Sequence, residues 1–441
     1  MRIIKLQIKI VKLVMKDLSG KRLLLLGSNV WKDIIRKFAD DNGVKLIFTG
    51  LHPAPLDEIV DEFYRIDSTD FKAMTSFIKE HDVDGIYMGG SEIIISSACQ
   101  YINKLGYPCY CTKEQWEYLQ NKSNFKNLCI KFDLPVVPCF TINPSAIEDS
   151  VPKDAYPVIT KPTDGSGSNG FSVCHNPLEL IKGYKVANEC SPTGSVICEK
   201  FVRNKGLVVF YSFTNGRMMY ALSEDKYPVK YDKQGSYVAG LFLCESRYKD
   251  EFRARYEDKI RKMFEAINIK EGAIWIEIFH DGDNYYFNEV GFRYGGSFSF
   301  YSVNYFNDIN QVYADMYYAL TGDSQLFGFK SLIPATVKRK KHYCIYPVHM
   351  ESGTIAEFEG IEEIRTWSNV VIAPLTKNVG DFIADSGSFA QVIALIHFTF
   401  DSLDECKNMI DKIHKVFRVL DENGNDLIAR KLDWDGEMIN Y

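Results

Sequence analysis

Residues 273–293 read AIWIEIFHDGDNYYFNEVGFR. Two alternating apolar runs, AIWIEIF (273–279) and NYYFNEVG (284–291), flank the polar stretch HDGD and read as a β-hairpin. Each run carries one glutamate, Glu277 and Glu289. A carboxylate in a buried strand costs several kcal/mol unless it is paired or bound to metal. If the loop between the strands is odd in length, both glutamates leave the same face and lie within about 5–8 Å of each other. That face can hold Mg²⁺, a hard cation that takes oxygen ligands and shares the rest with phosphates. An even loop splits the pair; a solvated sheet face accounts for them equally well. Arg293 follows Glu289 by four residues, before Gly295-Gly296-Ser297. Its guanidinium can grip phosphoryl oxygens in bidentate fashion or bridge to one of the glutamates.

Upstream, YPVITKP (156–162) and FSVCHN (171–176) flank Gly165-Ser166-Gly167-Ser168-Asn169-Gly170. The loop matches G-x-G-x-x-G literally, but a dinucleotide site needs a helix to open on the third glycine. Here the next residues alternate with period two, so strand follows strand. No Gly-Lys-Ser/Thr completes a phosphate-binding P-loop. Lys161 precedes the loop, and no HRD or DFG accompanies it, unlike a protein kinase. What remains is a flexible turn, or a flap whose backbone N–H groups close over phosphates. GSVICEKFV (194–202) is a further strand. LVVFYSF (207–213) and RMMYALS (217–223) surround Asn215-Gly216, a strong hairpin signal. Helices are expected at 113–133 (two), 253–267 and 310–321, the last closing this domain. Residues 113–325 therefore read as an α+β domain on antiparallel sheet.

On the N-terminal side, RLLLLG (22–27), VKLIFTG (44–50) and DGIYMGG (84–90) alternate with helices at 31–41, 69–81 and 91–105. Repeated strand–helix units imply a parallel α/β sheet in a first domain, 21–112. Ser68 or Thr69 is the expected cap of the second helix. Gly89-Gly90-Ser91-Glu92 after the third strand is either a ligand-binding turn or a simple helix cap. Residues 1–20, with lysines at 5, 9, 12 and 16, read as an N-terminal arm, since charge interrupts the apolar run a signal peptide requires. LysArgLysLys (338–341) reads as a solvated linker. Beyond it, CIYPV, GTIAEF, VVIAPL and a helix at 403–417 form a C-terminal α+β domain, 342–441.

Composition narrows the function. The 441 residues carry 52 Lys plus Arg against 58 Asp plus Glu, a net charge of -6, which disfavours general nucleic-acid binding. No apolar run approaches the ~20 residues that span a bilayer. Eleven scattered cysteines without a CxxC pair fit neither a disulfide framework nor a zinc ribbon, and point to a reducing cytoplasm.

Taken in order, Lys122, Lys161, the glycine loop, Glu199, Glu277, Glu289 and Arg293 resemble the ATP-grasp superfamily over nearly the whole chain. The first domain is similar to its preATP-grasp domain, and the last resembles the C-terminal domain of the biotin carboxylase-like branch, which includes carboxylate–amine ligases. The resemblance implies ATP with Mg²⁺ or Mn²⁺. It places Lys122 and Lys161 on the nucleotide phosphates. Ser166, Gly167, Ser168, Asn169 and Gly170 become a flap over the β and γ phosphates. Glu199 would bond the adenine amino group or the ribose, and Lys200, Phe201 and Val202 would follow the adenine edge. Glu277 and Glu289 would bridge metal, and Arg293 with Lys161 would stabilise the transferred phosphoryl group. Two positions depart from the pattern. The family's Glu-x-Asn-x-Arg is Glu289-Val290-Gly291-Phe292-Arg293 here, and Gly206-Leu207-Val208 stands where a ribose-contacting glutamate is often found. The implied activity is an ADP-forming ligase that joins a small carboxylate to an amine through an acylphosphate, in a cytoplasmic homodimer. Activation of bicarbonate, as in carbamoyl-phosphate synthase or a carboxylase, is the alternative enzyme. A nucleotide-binding sensor without ligation is the alternative outside catalysis.

Overall fold

The computed structural model describes residues 15–27, 31–51, 59–164, 170–202, 205–231, 236–338, 341–430 and 432. Most of the expected N-terminal arm, residues 165–169 of the glycine loop and part of 338–341 lie outside the described residues. The chain gathers into two compact units, 1–113 with 308–332, and 114–307 with 333–441. The helix expected to close the middle domain, Gln311–Thr321, thus belongs to the first unit. The segment 342–441 shares the second unit with 114–307, whereas the sequence suggested a domain of its own.

In the first unit, β1 (Arg22–Leu26), β2 (Lys45–Thr49), β3 (Glu62–Tyr64) and β4 (Gly85–Tyr87) form a parallel sheet in the order β3-β2-β1-β4. The runs Leu23–Leu26 and Leu46–Phe48 are buried throughout, as strands of a parallel sheet covered on both faces must be. β3 is half-buried, with a mixed sequence that gave no strand signal. The helix Phe71–Glu80 is capped by Asp70, which accepts from the N–H groups of Lys72 and Ala73. This corrects the expected Ser68 or Thr69: Ser68 is instead buried and donates to the Thr49 carbonyl. Gly90, between β4 and the helix Glu92–Leu105, lies against Trp31, whose ring a side chain there would strike.

The second unit carries two antiparallel sheets. The smaller one comprises β5 (Cys139–Phe140), β6 (Val158–Pro162), β7 (Ser172–Cys174) and β8 (Val196–Lys200), in the order β5-β8-β6-β7. The helix Pro177–Cys190 covers its core of Val158, Cys174, Leu180 and Cys198. The larger sheet begins β13-β12-β9-β10-β11, where β9 is Gly206–Thr214, β10 is Arg217–Tyr231, β11 is Ser236–Cys244, β12 is Gly272–His280 and β13 is Tyr285–Gly291. It continues through β14 (His342–Met350) into the C-terminal segment, whose strands Val392–Phe400 and Val370–Ile372 complete the row. Asn215 and Gly216 join β9 to β10 with φ of 50° and 75°, the two left-handed residues of a tight hairpin turn.

Candidate functional site

The hairpin β12–β13 decides where the two glutamates point. Its loop, Asp281 to Asn284, lies between the paired residues His280 and Tyr285 and has an even number of residues. In a regular ladder that parity would set Glu277 opposite Asn288 and send Glu289 to the other face. The register instead slips between Glu277 and Ile278: Ile278 faces Phe287, but Glu277 faces Glu289. Asn288 is the extra residue of a β-bulge. The bulge returns Glu289 to the face of Glu277, and it lets Asn288 point the same way. The amide of Asn288 donates to Glu277 Oε2 and accepts from Lys161 Nζ at 3.2 Å.

Around this pair the two sheets of the unit supply lysines. Lys161, on β6, makes an ion pair with Glu199 on β8, 2.8 Å from Nζ to Oε2. Lys126, on the helix Lys122–Lys131, holds the other oxygen of Glu199. Lys226, on β10, pairs with Glu277. Lys122 Nζ lies 3.9 Å from Glu289 Oε2. Arg293 stacks its guanidinium 5.5 Å from the centre of the Trp275 ring and donates to the Tyr294 carbonyl.

The electrostatics follow from this geometry. Burial opposes the charge on Lys161, but Glu199 overrides it and holds the amine above its ordinary range. Burial likewise raises Glu199 and Glu277, yet both end below the usual carboxylate range. Lys161 and Lys126 act on Glu199; Lys226 and the Asn288 amide act on Glu277. Glu289 is raised, by burial and by the negative charge of Glu277 directly opposite. A carboxylate held against its neighbour's charge is a group that a divalent cation satisfies. Among the described residues no cluster of three His, Cys, Asp or Glu could hold a metal ion, so Glu277 and Glu289 offer two protein ligands and leave other positions open.

These residues open onto one cavity of about 360 Å³. Lys122, Lys161, Lys226, Glu277, Glu289 and Arg293 line its charged side, and Ile159, Phe171, Phe201, Val202 and Phe242 its apolar side. The cavity thus suits a ligand with a flat apolar end and an anionic, cation-bound end. Of the residues expected from sequence, Lys122, Lys161, Phe201, Val202, Glu277, Glu289 and Arg293 are brought together here. Glu199 is fully buried between its two lysines and does not line the cavity, nor does the exposed Lys200. Ser166, Gly167, Ser168 and Asn169 lie outside the described residues, while Gly170 takes a φ of +74° against Pro162 and Cys190.

Asn288, Lys226, Glu224 and Trp275 also line the cavity, and the sequence reading gave none of them a role. The signal for Glu224 and Lys226 lay in SEDK (223–226), two charges with period two inside a strand that runs to Tyr231. Asn288 gave none, because alternation assigns it to the face opposite Glu289. Trp275 faces Gly291 across the ladder, and a Cβ on Gly291 would collide with its indole. The indole therefore fills the space that an asparagine at 291 would need.

The family described as "Carbamoyl-phosphate synthase L chain, ATP binding domain" matches residues 121–208. Formate-dependent phosphoribosylglycinamide formyltransferase of Methanocaldococcus jannaschii is 27% identical over 187 residues, 41% of this chain and 48% of that protein. The chain spans about half the length of the curated relatives it matches. Among solved structures, L-amino acid ligase from Bacillus licheniformis superposes with a TM-score of 0.73 at 18% identity, covering 92% of this chain and 100% of that one. The biotin carboxylase domain of 2-oxoglutarate carboxylase from Hydrogenobacter thermophilus, solved as a dimer with MgADP and bicarbonate, reaches 0.72 at 14% identity, covering 93% and 92%. At these identities the structural likenesses establish a shared fold.

Proposed function

We propose that this chain is an ATP-grasp protein, an ADP-forming ligase that joins a small carboxylate to an amine through an acylphosphate. One observation carries the reading: Glu277 and Glu289 face each other on a single rung at the mouth of a cavity ringed by Lys122, Lys161 and Arg293. Glu277 and Glu289 would hold Mg²⁺, which when bound neutralises charge between the nucleotide phosphates; Mn²⁺ suits the same oxygen pair. Lys122 and Lys161 take phosphate oxygens, and Glu199 with Lys126 fixes the position of Lys161. Phe201 and Val202 offer the adenine an apolar wall. Residues 166–170 are assigned to the closing flap on sequence alone.

In the first step a carboxylate oxygen attacks the γ-phosphorus; the new O–P bond forms as the bond to ADP breaks. Lys161 and Arg293 counter the charge that builds on the phosphoryl oxygens. In the second step the amine nitrogen attacks the acyl carbon and phosphate leaves. Exclusion of water by the flap protects the acylphosphate between the steps. The test is an ADP-release screen over amino acids and small carboxylates, with mass detection of product and Glu289→Gln as control. Magnesium-dependent turnover unchanged in that variant would remove the metal assignment.

A second reading, activation of bicarbonate, is favoured by the matched family and by the likeness to a biotin carboxylase domain. ADP released with bicarbonate as the sole carboxylate would select it. The indole that fills the space beside Gly291 favours the third, a nucleotide sensor; tight ATP binding without ADP from any mixture would select that. We place the protein in the cytoplasm, in keeping with its eleven free cysteines. Among the described residues no helix is long and apolar enough to cross a membrane. A homodimer follows the dimeric carboxylase domain, and light scattering checks it.

A further inference from the structure

The rung that carries Glu289 and Glu277 continues across the sheet. Glu277 faces Val208 on β9, Val208 faces Glu224 on β10, and Glu224 faces Cys244 on β11. Two strand spacings of about 4.8 Å each set the Glu224 backbone about 10 Å from that of Glu277, on the same face. Glu224 is wholly buried, yet it lines the cavity. Its Oε1 accepts from Cys244 Sγ at 3.7 Å and Ser302 Oγ at 3.5 Å, while Oε2 is buried with no partner. No lysine, arginine or histidine among the described residues makes an ion pair with it. The other acids of the site differ: Glu199 has two lysines and Glu277 has Lys226. Burial pushes the Glu224 carboxyl up to about 8, against the weaker pull of Ser299, Cys244 and Ser302.

An acid walled in without a cation is unfavourable for folding alone. Only its neutral form tolerates a carboxylate or phosphate, and its charged form repels both, so it is a poor place for the acyl donor or the nucleotide tail. A cation delivered by the ligand resolves both points. We propose that Glu224 anchors the ammonium group of the nucleophilic substrate and takes up the proton that this nitrogen sheds before its lone pair attacks, so that the amine partner is a primary amine that arrives as a cation, across the sheet from the metal-side carboxylates. The assignment rests on the ligase reading and names the class of its second substrate.

The test separates the two. Hydroxylamine, largely uncharged at neutral pH, traps an acylphosphate as a hydroxamate without needing an ammonium site. Wild-type protein is given MgATP, the common L-amino acids as carboxylates, and either hydroxylamine or a cationic amine, with methylamine and the amino acids themselves as amines. Glu224→Gln is expected to raise the KM for the cationic amine by about 30-fold or more, the loss of a desolvated charge pair. Hydroxamate formation and the KM for ATP should stay within about twofold. A thermal melt without substrate checks folding. Glu224→Asp, which keeps the charge, should retain the preference for the cationic amine if the glutamine variant does not fold. Equal KM values in wild type and Glu224→Gln, or a preference lost in a folded Glu224→Asp, overturn the anchor and leave the ligase reading intact. No hydroxamate from wild-type protein with any carboxylate overturns the ligase reading and the anchor with it.

Discussion

At the scale of single residues, the site is built from acids whose environments differ. Glu277 is held ionised by Lys226 and the Asn288 amide, and Glu289 is raised against it. Replacing either with glutamine keeps the shape and removes a hard oxygen charge. We expect magnesium-dependent ADP formation to fall by about 100-fold or more in Glu277→Gln and in Glu289→Gln, read in a coupled ADP assay. Glu224 makes a stability prediction of its own. Its carboxyl sits at about 8 in the folded chain against an ordinary 4.5, so the folded state binds this proton more tightly than the unfolded state. That stabilisation is complete below about pH 4.5 and is lost as pH rises through about 8. Denaturant midpoints measured from pH 5 to 9 should therefore fall more steeply for wild type than for Glu224→Gln. Gly291 answers to Trp275 rather than to solvent. Gly291→Asn alone should destabilise the fold by about 1–3 kcal/mol through overpacking, and Trp275→Val beside it should relieve most of that loss. Urea unfolding of the single and double variants checks both.

At the scale of elements, the bulge at Asn288 is the device that makes the site. It converts an even hairpin loop, which would separate the glutamates, into a facing pair. Asn288→Ala removes hydrogen bonds to two charged partners, Lys161 and Glu277, and should cost about 2–3 kcal/mol in chemical denaturation. ADP formation should drop as well, since Lys161 and Glu277 lose the group that spaces them. Much of this element was legible in sequence: the hairpin itself, both glutamates, and the Asn215-Gly216 turn with its two positive φ angles. The bulge was not, because one extra residue leaves alternation intact on either side and carries no composition of its own. Nor was the length of β10. Its second half, SEDKYPVKY, contains charges and a proline, residues that propensity removes from strands, and the cavity accounts for two of them, Glu224 and Lys226. Glu199 was read as a nucleotide contact. Its identity was visible, but not the two lysines that enclose it, since Lys126 lies far away in sequence on a helix.

At the scale of the whole molecule, every described residue of the site belongs to the unit made of 114–307 and 333–441. Nucleotide binding should therefore slow amide exchange in that unit first. At a concentration of MgATP 100-fold above its Kd, linkage adds about 2.7 kcal/mol to the unfolding free energy. Exchange monitored by mass spectrometry, with and without MgATP, locates the effect; protection confined to 1–113 would contradict the site. The fold class was largely visible from alternating patterns, with a parallel sheet at the start and antiparallel pairs after it. The grouping of segments into units was not. Gln311–Thr321 is a largely buried helix, and nothing local records which sheet it joins.

In the same unit β11 and β14 form a ladder, where Phe242, Leu243 and Cys244 pair with Ile345, Cys344 and Tyr343. The last hundred residues are stitched into the same sheet by main-chain bonds rather than appended to it. A recombinant fragment stopped near residue 341 would bare the strand edge Phe242 to Cys244 and the greasy core around Leu241 and Leu243 that the tail covers. Such a fragment should polymerise or precipitate instead of yielding a working half, so the tail is not removable cargo.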